Sequence, residues 1–354
     1  MSGWSLRIAI FDDRFLLVVK NSSPQQRAKL LKMIMLIRHC EGLSYLRPLP
    51  VMKTEDGKQC VNTQVAVGPR PGVPYRHIEP ARRHGAVKTR IREETIREGI
   101  AMGIFSMWDI ETMGLPNVVL EVTFAQTQGG QPGEVKLRMC IDAKPINAAS
   151  PERPQVSSSN VEDAYEQLGG PENVAWIISI DEFKAFWTFV NSKETRIQWV
   201  IRCSDGFAIC ERMQFGGKDA PTTFAEGKRG LDRGIEDKVA SIVDDMLCHG
   251  AEWEDTVDTA IVLLTRFKRR DIPIQGKKVS VFLATTRFGG RNLFCDGSFS
   301  PLQDHIVHIL SMKDITLDRQ ASMSLIGLAL WLKRHVIGLA AAVTRVNQKQ
   351  WRVF

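Results

Sequence analysis

The order of apolar runs predicts an α+β fold, with helices packed on one face of a small, mostly antiparallel sheet. Three observations carry this. Short apolar runs of strand length alternate with longer segments of helical spacing, short connections rich in Gly, Asp and Pro join many of them, and three carboxylates sit at the ends of the apolar runs. Asp181 ends Trp176-Ile177-Ile178-Ser179-Ile180. Asp244 and Asp245 divide Ala240-Ser241-Ile242-Val243 from Met246-Leu247-Cys248. A carboxylate that ends a buried strand and faces a pair in a hairpin gathers acids at one rim, where hard divalent cations bind oxygen ligands. An Asp-Asp pair by itself is common in surface turns, so the pattern needs support from the rest of the chain.

The elements follow in order. Leu30, Leu31, Met33, Ile34, Leu36 and Ile37 mark a helix over Gln25–His39, and the Gly/Pro-rich stretch Val67–Tyr75 reads as a boundary. A basic helix is expected from Ala86 to Met102; its arginines fit a solvated face better than a binding surface. Val118–Val122 and Val135–Ile141 read as strands of a hairpin closed by Gly129-Gly130-Gln131-Pro132-Gly133. Ser159 with Glu162 forms a capping box for a helix through Leu168, stopped at Gly169-Gly170. An extended pair surrounds Cys203-Ser204-Asp205-Gly206. Asp219 and Pro221 open a helix to about Arg233, the Asp244-Asp245 hairpin follows, and then a helix near Glu252–Arg269 and short strands to Pro301.

The chain has 354 residues, enough for two or three subdomains, with 44% hydrophobic and 25% charged residues. Its net charge of +7 favours an anionic partner such as nucleic acid, although many soluble proteins are mildly basic. Seven cysteines are scattered without a Cys-x-x-Cys pair, which fits free thiols in a reducing compartment and argues against a structural zinc site. No apolar stretch reaches the roughly 18 residues of a membrane span. The best candidate, Leu325–Val343, is broken by Lys333-Arg334-His335, and Arg7 and Asp12-Asp13 do not suit a signal peptide. The expectation is a soluble intracellular protein that makes no membrane contact.

Several segments, in one order, resemble motifs of reverse transcriptases, and specifically those of gypsy-type LTR retrotransposons. Arg138-Met139-Cys140-Ile141-Asp142-Ala143-Lys144-Pro145-Ile146-Asn147 resembles the fingers motif. Asp181 through Phe186 resembles the first catalytic motif, an Asp with an aromatic residue five positions on. Arg212 through Pro221, containing Phe215-Gly216-Gly217, resembles the Phe-Gly-Leu-x-x-Ala-Pro segment, and Ile242-Val243-Asp244-Asp245 resembles the Tyr-x-Asp-Asp box. Lys278 falls where the family has a lysine, Phe288-Gly289-Gly290 resembles the primer grip, and Leu325-Ile326-Gly327-Leu328 with Trp331 and Arg334 resembles the start of the thumb. The likeness covers about residues 95 to 345.

The resemblance implies a right-hand polymerase: residues 1–80 without an assigned role, 81–175 part of the fingers, 176–310 the palm with some fingers elements, and 311–354 the start of a partial thumb. It implies an RNA-directed DNA polymerase that extends a primer on an RNA or DNA template with dNTPs, using Mg²⁺, with Mn²⁺ an alternative. Asp181 and Asp244 would be the main metal ligands and Asp245 a supporting carboxylate. Arg138 would pair with triphosphate oxygens, for which a guanidinium is well shaped, or serve only as a surface cation. Phe186 would stack beneath the incoming sugar and exclude a 2′-hydroxyl, or be a core aromatic. Gly216 would let the backbone approach the nucleotide and Gly217 the template, with a plain turn as the rival explanation. Lys278 would contact phosphate or donate a proton to pyrophosphate, or be an ordinary surface lysine. Phe288, Gly289 and Gly290 would meet the primer.

The chain departs from the family at Ile242, where an aromatic is usual, and at Gly217, Gln214 and Ala143; the lysines usual on the first fingers strand have no clear counterpart after Val122. No ribonuclease H, protease or integrase motif is recognised. That suggests a core excised from a longer polyprotein or a truncated copy. Three readings follow: an active polymerase, a catalytically silent nucleic-acid-binding remnant, and a palm-like enzyme of another class, such as a nucleotidyl cyclase.

Overall fold

A computed structural model describes residues 10–11, 13–63, 75–128, 135–152, 161–170, 173–311 and 327. The chain begins with β1 (Ile10–Phe11), α1 (Asp13–Asn21) and α2 (Pro24–Ser44). Ser23 caps α2: its hydroxyl accepts from the Gln26 amide, the Gln26 side chain accepts from the Ser23 amide, and Pro24 takes the first turn, where no amide is needed. Strands β2 (Val61–Asn62) and β3 (His77–Ile78) precede α3 (Ala86–Ala101) and β4 (Phe105–Met107). Next come α4 (Ile110–Met113), β5 (Val118–Val119) and the hairpin strands β6 (Val122–Gln128) and β7 (Val135–Ile141). Helices α5 (Lys144–Ala149) and α6 (Val161–Gln167) lead to β8 (Trp176–Asp181). Then follow β9 (Val190–Asn191), α7 (Lys193–Arg196), β10 (Val200–Cys203), β11 (Gly206–Cys210) and α8 (Ala220–Lys228). The last elements are β12 (Val239–Ile242), β13 (Asp245–Gly250), α9 (Trp253–Arg269), β14 (Ser280–Val281), β15 (Thr285–Phe288), β16 (Arg291–Phe294), β17 (Phe299–Pro301) and α10 (Gln303–Ser311).

The central sheet has the order β1-β14-β8-β13-β12. All its pairs are antiparallel except β1 with β14, so the mixed α+β architecture expected from the sequence is the one found. Side chains alternate across a strand, and this divides the sheet's two faces. Ile178 and Ile180 of β8, with Met246 and Cys248 of β13, share a core with the apolar stripe Leu30, Met33, Ile37 and Cys40 of α2 and with Val257, Ala260, Leu264 and Phe267 of α9. Ile177 of β8, Ala240 of β12 and Leu247 of β13 turn the other way. There they meet Ala164, Tyr165 and Leu168 around α6 and Phe288 and Leu293 of the β15-β16-β17 sheet.

A separate core holds the hairpin side of the molecule: Ile96 of α3, Phe105, Val118, Leu120, Val122, Ile146, Trp199, Ile201 and Cys210. Arg212 ties the segment after α2 to the turn between α3 and β4 and to the turn after β8. It is 5% exposed, and its guanidinium donates to the carbonyls of Leu49, Pro50, Gly103 and Trp187 at 2.7–3.2 Å. Backbone carbonyls there take the place of a carboxylate partner.

Two sequence expectations shift. The hairpin partner of β7 is Val122–Gln128, whereas Val118–Val119 pairs with β3 in a parallel ladder. Helix α8 stops at Lys228, short of Arg233, because Arg229 is already non-helical and Gly230 and Gly234 take positive φ values of 79° and 75°. Residues 1–80 supply α1 and α2 to the main core, and α6, within the span expected for the fingers, lies against the central sheet. The Gly129–Gly133 turn, the Ser159 cap and the thumb motif apart from Gly327 lie outside the described residues. No helix among the described residues is long and apolar enough to cross a membrane.

Candidate active site

Strand alternation builds the acidic rim. Ser179 and Asp181 share a face of β8, and antiparallel register sets Asp245 directly opposite Asp181 and Leu247 opposite Ser179. Asp244 is in the turn between β12 and β13, where its backbone carbonyl accepts from the Glu182 amide at 3.1 Å. The residue before it, Val243, has φ 53°. A β-branched residue in that region is strained by roughly 1–3 kcal/mol and holds it only under constraint from its surroundings.

Lys278, in the short turn before β14, donates from Nζ to Asp181 Oδ2 at 2.8 Å. These groups open on a cleft of about 560 Å³ lined by Ser179, Asp181, Asp245, Lys278, Ser280 and Thr286 among others. Burial pushes the Asp181 carboxyl up and the nearby Asp244 adds to that, while the Lys278 hydrogen bond opposes it. Burial also lifts Asp245, to about 6, with repulsion from Asp244 and Asp181 adding to the effect. Asp181 and Asp245, crowded and short of positive charge, hold their protons to higher pH than usual, and a dication would reverse this.

The donor set suits a hard divalent cation, because Asp181, Asp244 and Asp245 offer only carboxylate oxygens at one rim. Among the described residues no three His, Cys, Asp or Glu side chains form a ready-made metal cage, and Lys278 carries the compensating charge at Asp181. The residues fit the ion, then, with Lys278 its competitor at Asp181.

The aromatic residue five positions after Asp181 sits in a ring cluster. Phe186 stacks on Phe224 at 5.0 Å between centroids and meets Phe215 at 4.8 Å. Phe186 is half-buried, whereas Phe215 is 53% exposed. Gly216 has φ 91°, and its carbonyl accepts from Asn147 Nδ2 at 2.8 Å; Asn147 Oδ1 in turn accepts from the Lys218 amide at 2.8 Å. Asn147 therefore staples the Phe215–Lys218 loop to α5. Within that loop Gly216 is exposed and Gly217 is buried.

Phe288 is 1% exposed and packs on Tyr165, whose hydroxyl donates to the Phe288 carbonyl at 2.8 Å. The Phe288 ring is therefore an anchor, and the part of the hairpin left to meet a ligand is the Gly289-Gly290 turn, with φ 53° and 79°. A Cβ on Gly289 would run into Ile242 Cδ1, so the acidic hairpin and the β15–β16 hairpin touch through these two residues. Arg138 is exposed on β7, opposite Ala125 of β6, in the separate hairpin.

Two residues behind the rim escaped the sequence reading. Glu182 is 2% exposed and ion-paired with Lys228 of α8. Burial pushes the Glu182 carboxyl up, and Lys228 opposes this. The available signal was helical spacing: Ala220 and Phe224 are buried at i and i+4, which puts Lys228 on the same stripe.

No protein-family model matches the chain. Over 212 residues it is 24% identical to the enzymatic polyprotein of Cauliflower mosaic virus (strain D/H), a match covering 58% of this chain and 30% of the polyprotein. The Strasbourg strain's polyprotein matches equally well over the same share. In three dimensions the chain superposes on a foamy viral protease-reverse transcriptase bound to double-stranded DNA with a TM-score of 0.65, at 13% identity, covering 93% of this chain and 53% of that one. The fold is that of reverse-transcriptase fingers and palm. A foamy viral protease-reverse transcriptase bound to an RNA/DNA hybrid gives a TM-score of 0.64 at 13% identity, over 92% of this chain and 41% of that one. The chain thus spans under a third of the viral polyproteins it matches and about half or less of the solved chains.

Proposed function

We propose that this domain is an RNA-directed DNA polymerase, the fingers and palm of a retroelement reverse transcriptase, with the gypsy-type motif order as its nearest description. The observation that carries the reading is the rim itself: Asp181 and Asp245 are register partners, Asp244 is in the adjoining turn and Lys278 is hydrogen-bonded to Asp181. Asp181 and Asp244 would hold the metal ions, with Asp245 beside them. Bound Mg²⁺, or Mn²⁺ in its place, would lower the pKa of the primer 3′-hydroxyl and neutralise the triphosphate and leaving pyrophosphate.

The chain's own residues place the reactants. Arg138 would reach triphosphate oxygens from the hairpin, and Lys278, released from Asp181, would meet phosphate. Phe186 would lie beneath the sugar of the dNTP and clash with a 2′-hydroxyl. The loop of Gly216 and Gly217, fixed by Asn147, would present backbone to the nucleotide and template. The Gly289-Gly290 turn, with Phe288 as its buried anchor, would meet the primer. The nucleic acids in the foamy viral structures support a primer–template duplex as partner.

Ile242 favours a second reading, a catalytically silent domain that only binds nucleic acid, because an aliphatic side chain stands where the family's aromatic would meet the primer end. Primer extension on poly-rA/oligo-dT with Mg²⁺ or Mn²⁺ decides between them. The polymerase reading expects dNTP incorporation that Asp244→Asn abolishes. Salt-sensitive duplex binding without incorporation supports the silent reading and sinks the first.

A further inference from the structure

Next to the acidic rim lies an ion pair that two-metal chemistry does not require. Glu182 follows Asp181, and alternation turns it to the opposite face, into the core under the helices. A carboxylate buried there needs a cationic partner or a proton. Its partner is Lys228, the last residue of α8, whose side chain is 10% exposed. The same ammonium lies 4.8 Å from the centre of the Phe224 ring and donates to the Val243 carbonyl at 2.9 Å. One cation thus joins the end of β8 to the turn between β12 and β13. The carbonyl it holds belongs to the one residue of that turn with a left-handed backbone, φ 53°, directly before Asp244.

We infer that Lys228 is a positioning residue for the acidic turn: anchored on Glu182, it holds the Val243 carbonyl and so fixes Asp244 relative to Asp181. Its catalytic consequence rests on the polymerase reading, whereas the clamp is a property of the fold. Charge balance alone would not need this arrangement, because an apolar pair of similar volume commonly replaces a buried ion pair without loss of stability. An apolar pair cannot donate to Val243. That difference separates positioning from packing.

The test uses the full chain with Lys228→Met and with the double change Glu182→Leu/Lys228→Met. The single variant leaves Glu182 buried and unpaired, and its Tm falls; removing the carboxylate in the double variant restores it. In the double variant, primer extension on poly-rA/oligo-dT is expected to lose about tenfold or more in kcat, with the dNTP KM little changed. Hydrogen exchange over residues 239–248 is expected to quicken about tenfold relative to β10 and β11, which a general loss of stability would quicken equally. Extension at the wild-type rate overturns the inference. So does exchange that is unchanged, or that quickens equally in both regions, in whichever variant it is measured. If the wild-type chain extends no primer, the polymerase reading fails on its own, and local exchange still decides whether the clamp exists.

Discussion

Asp181 and Asp245 stand directly opposite each other on adjacent antiparallel strands, and Lys278 donates to Asp181 from the open side of the pair. Like charges in that position repel, and partial burial strengthens the repulsion. The cation makes the arrangement tolerable without sealing it, because the Lys278 side chain is 56% exposed and free to move away. On the polymerase reading, this contact would make Lys278 a counter-ion that an incoming metal ion displaces.

Lys278→Met should expose that competition. With the ammonium gone, Mn²⁺ should bind about tenfold tighter, equivalent to ~1.4 kcal/mol for a screened unit charge at this range. Titration followed by Mn²⁺ electron paramagnetic resonance measures it. Extension should fall at the same time if Lys278 also meets phosphate. Weaker Mn²⁺ binding in the variant would show that Lys278 supports the ion rather than opposing it.

Phe186 packs on Phe224 and Phe215, so shortening it has a stability effect and a selectivity effect that are separable. Phe186→Val should lower stability by about 1–2 kcal/mol in urea titration, the range for trimming a half-buried aromatic. If its ring polices the sugar, incorporation of ribonucleotides relative to deoxyribonucleotides should rise at least about tenfold. An unchanged ratio would leave Phe186 as a packing residue alone.

Gly289→Ala tests the contact between the two hairpins. The added methyl would collide with Ile242 Cδ1, lie 3.2 Å from Val161 Cγ1 and occupy a backbone with φ 53°. A loss of about 2 kcal/mol or more is expected from strain and overpacking together. The second variant Gly289→Ala/Ile242→Val should recover part of it, and an additive double mutant would show that the two residues do not couple.

The acid limb of stability should carry a mark of Asp142. Arg82 donates to its carboxylate at 2.9 Å, and this hydrogen bond holds the Asp142 carboxyl below the usual carboxylate range. The folded pKa is depressed, so the unfolded chain binds the proton more readily. The contribution is therefore complete above the unfolded carboxylate range near pH 4 and is lost as pH falls through the lower folded pKa. Because Arg82 is partly exposed, the contribution is only about 0.5–1 kcal/mol. Asp142→Asn should flatten that part of the urea-midpoint profile below about pH 4; an identical profile would show that the pair adds nothing.

Some of this was readable in the chain and some was not, for physical reasons. Asp181 and the Asp244-Asp245 pair announce themselves because each breaks an apolar run, and a buried strand leaves few other ways to end one. The span of β6 was not readable in the same way: successive residues Ala125 and Gln126 are both exposed, so this part of the strand has no buried face to set a pattern. Glu182 and Lys228 look like ordinary surface charges until the fold brings them together. The apolar stripe of α2 gave a helix but not its place, because its partner α9 is remote in sequence.

That last separation governs how the molecule can be made. On a ribosome α2 emerges well before α9, so the surface formed by Leu30, Met33, Ile37 and Cys40 stays incompletely covered until Val257, Ala260 and Leu264 have been synthesised. Throughout that interval the nascent chain carries a partly uncovered apolar stripe, the kind of surface chaperones hold and aggregates grow from. The core between α2 and α9 therefore closes late, and the yield of folded protein should depend on the interval between the two helices.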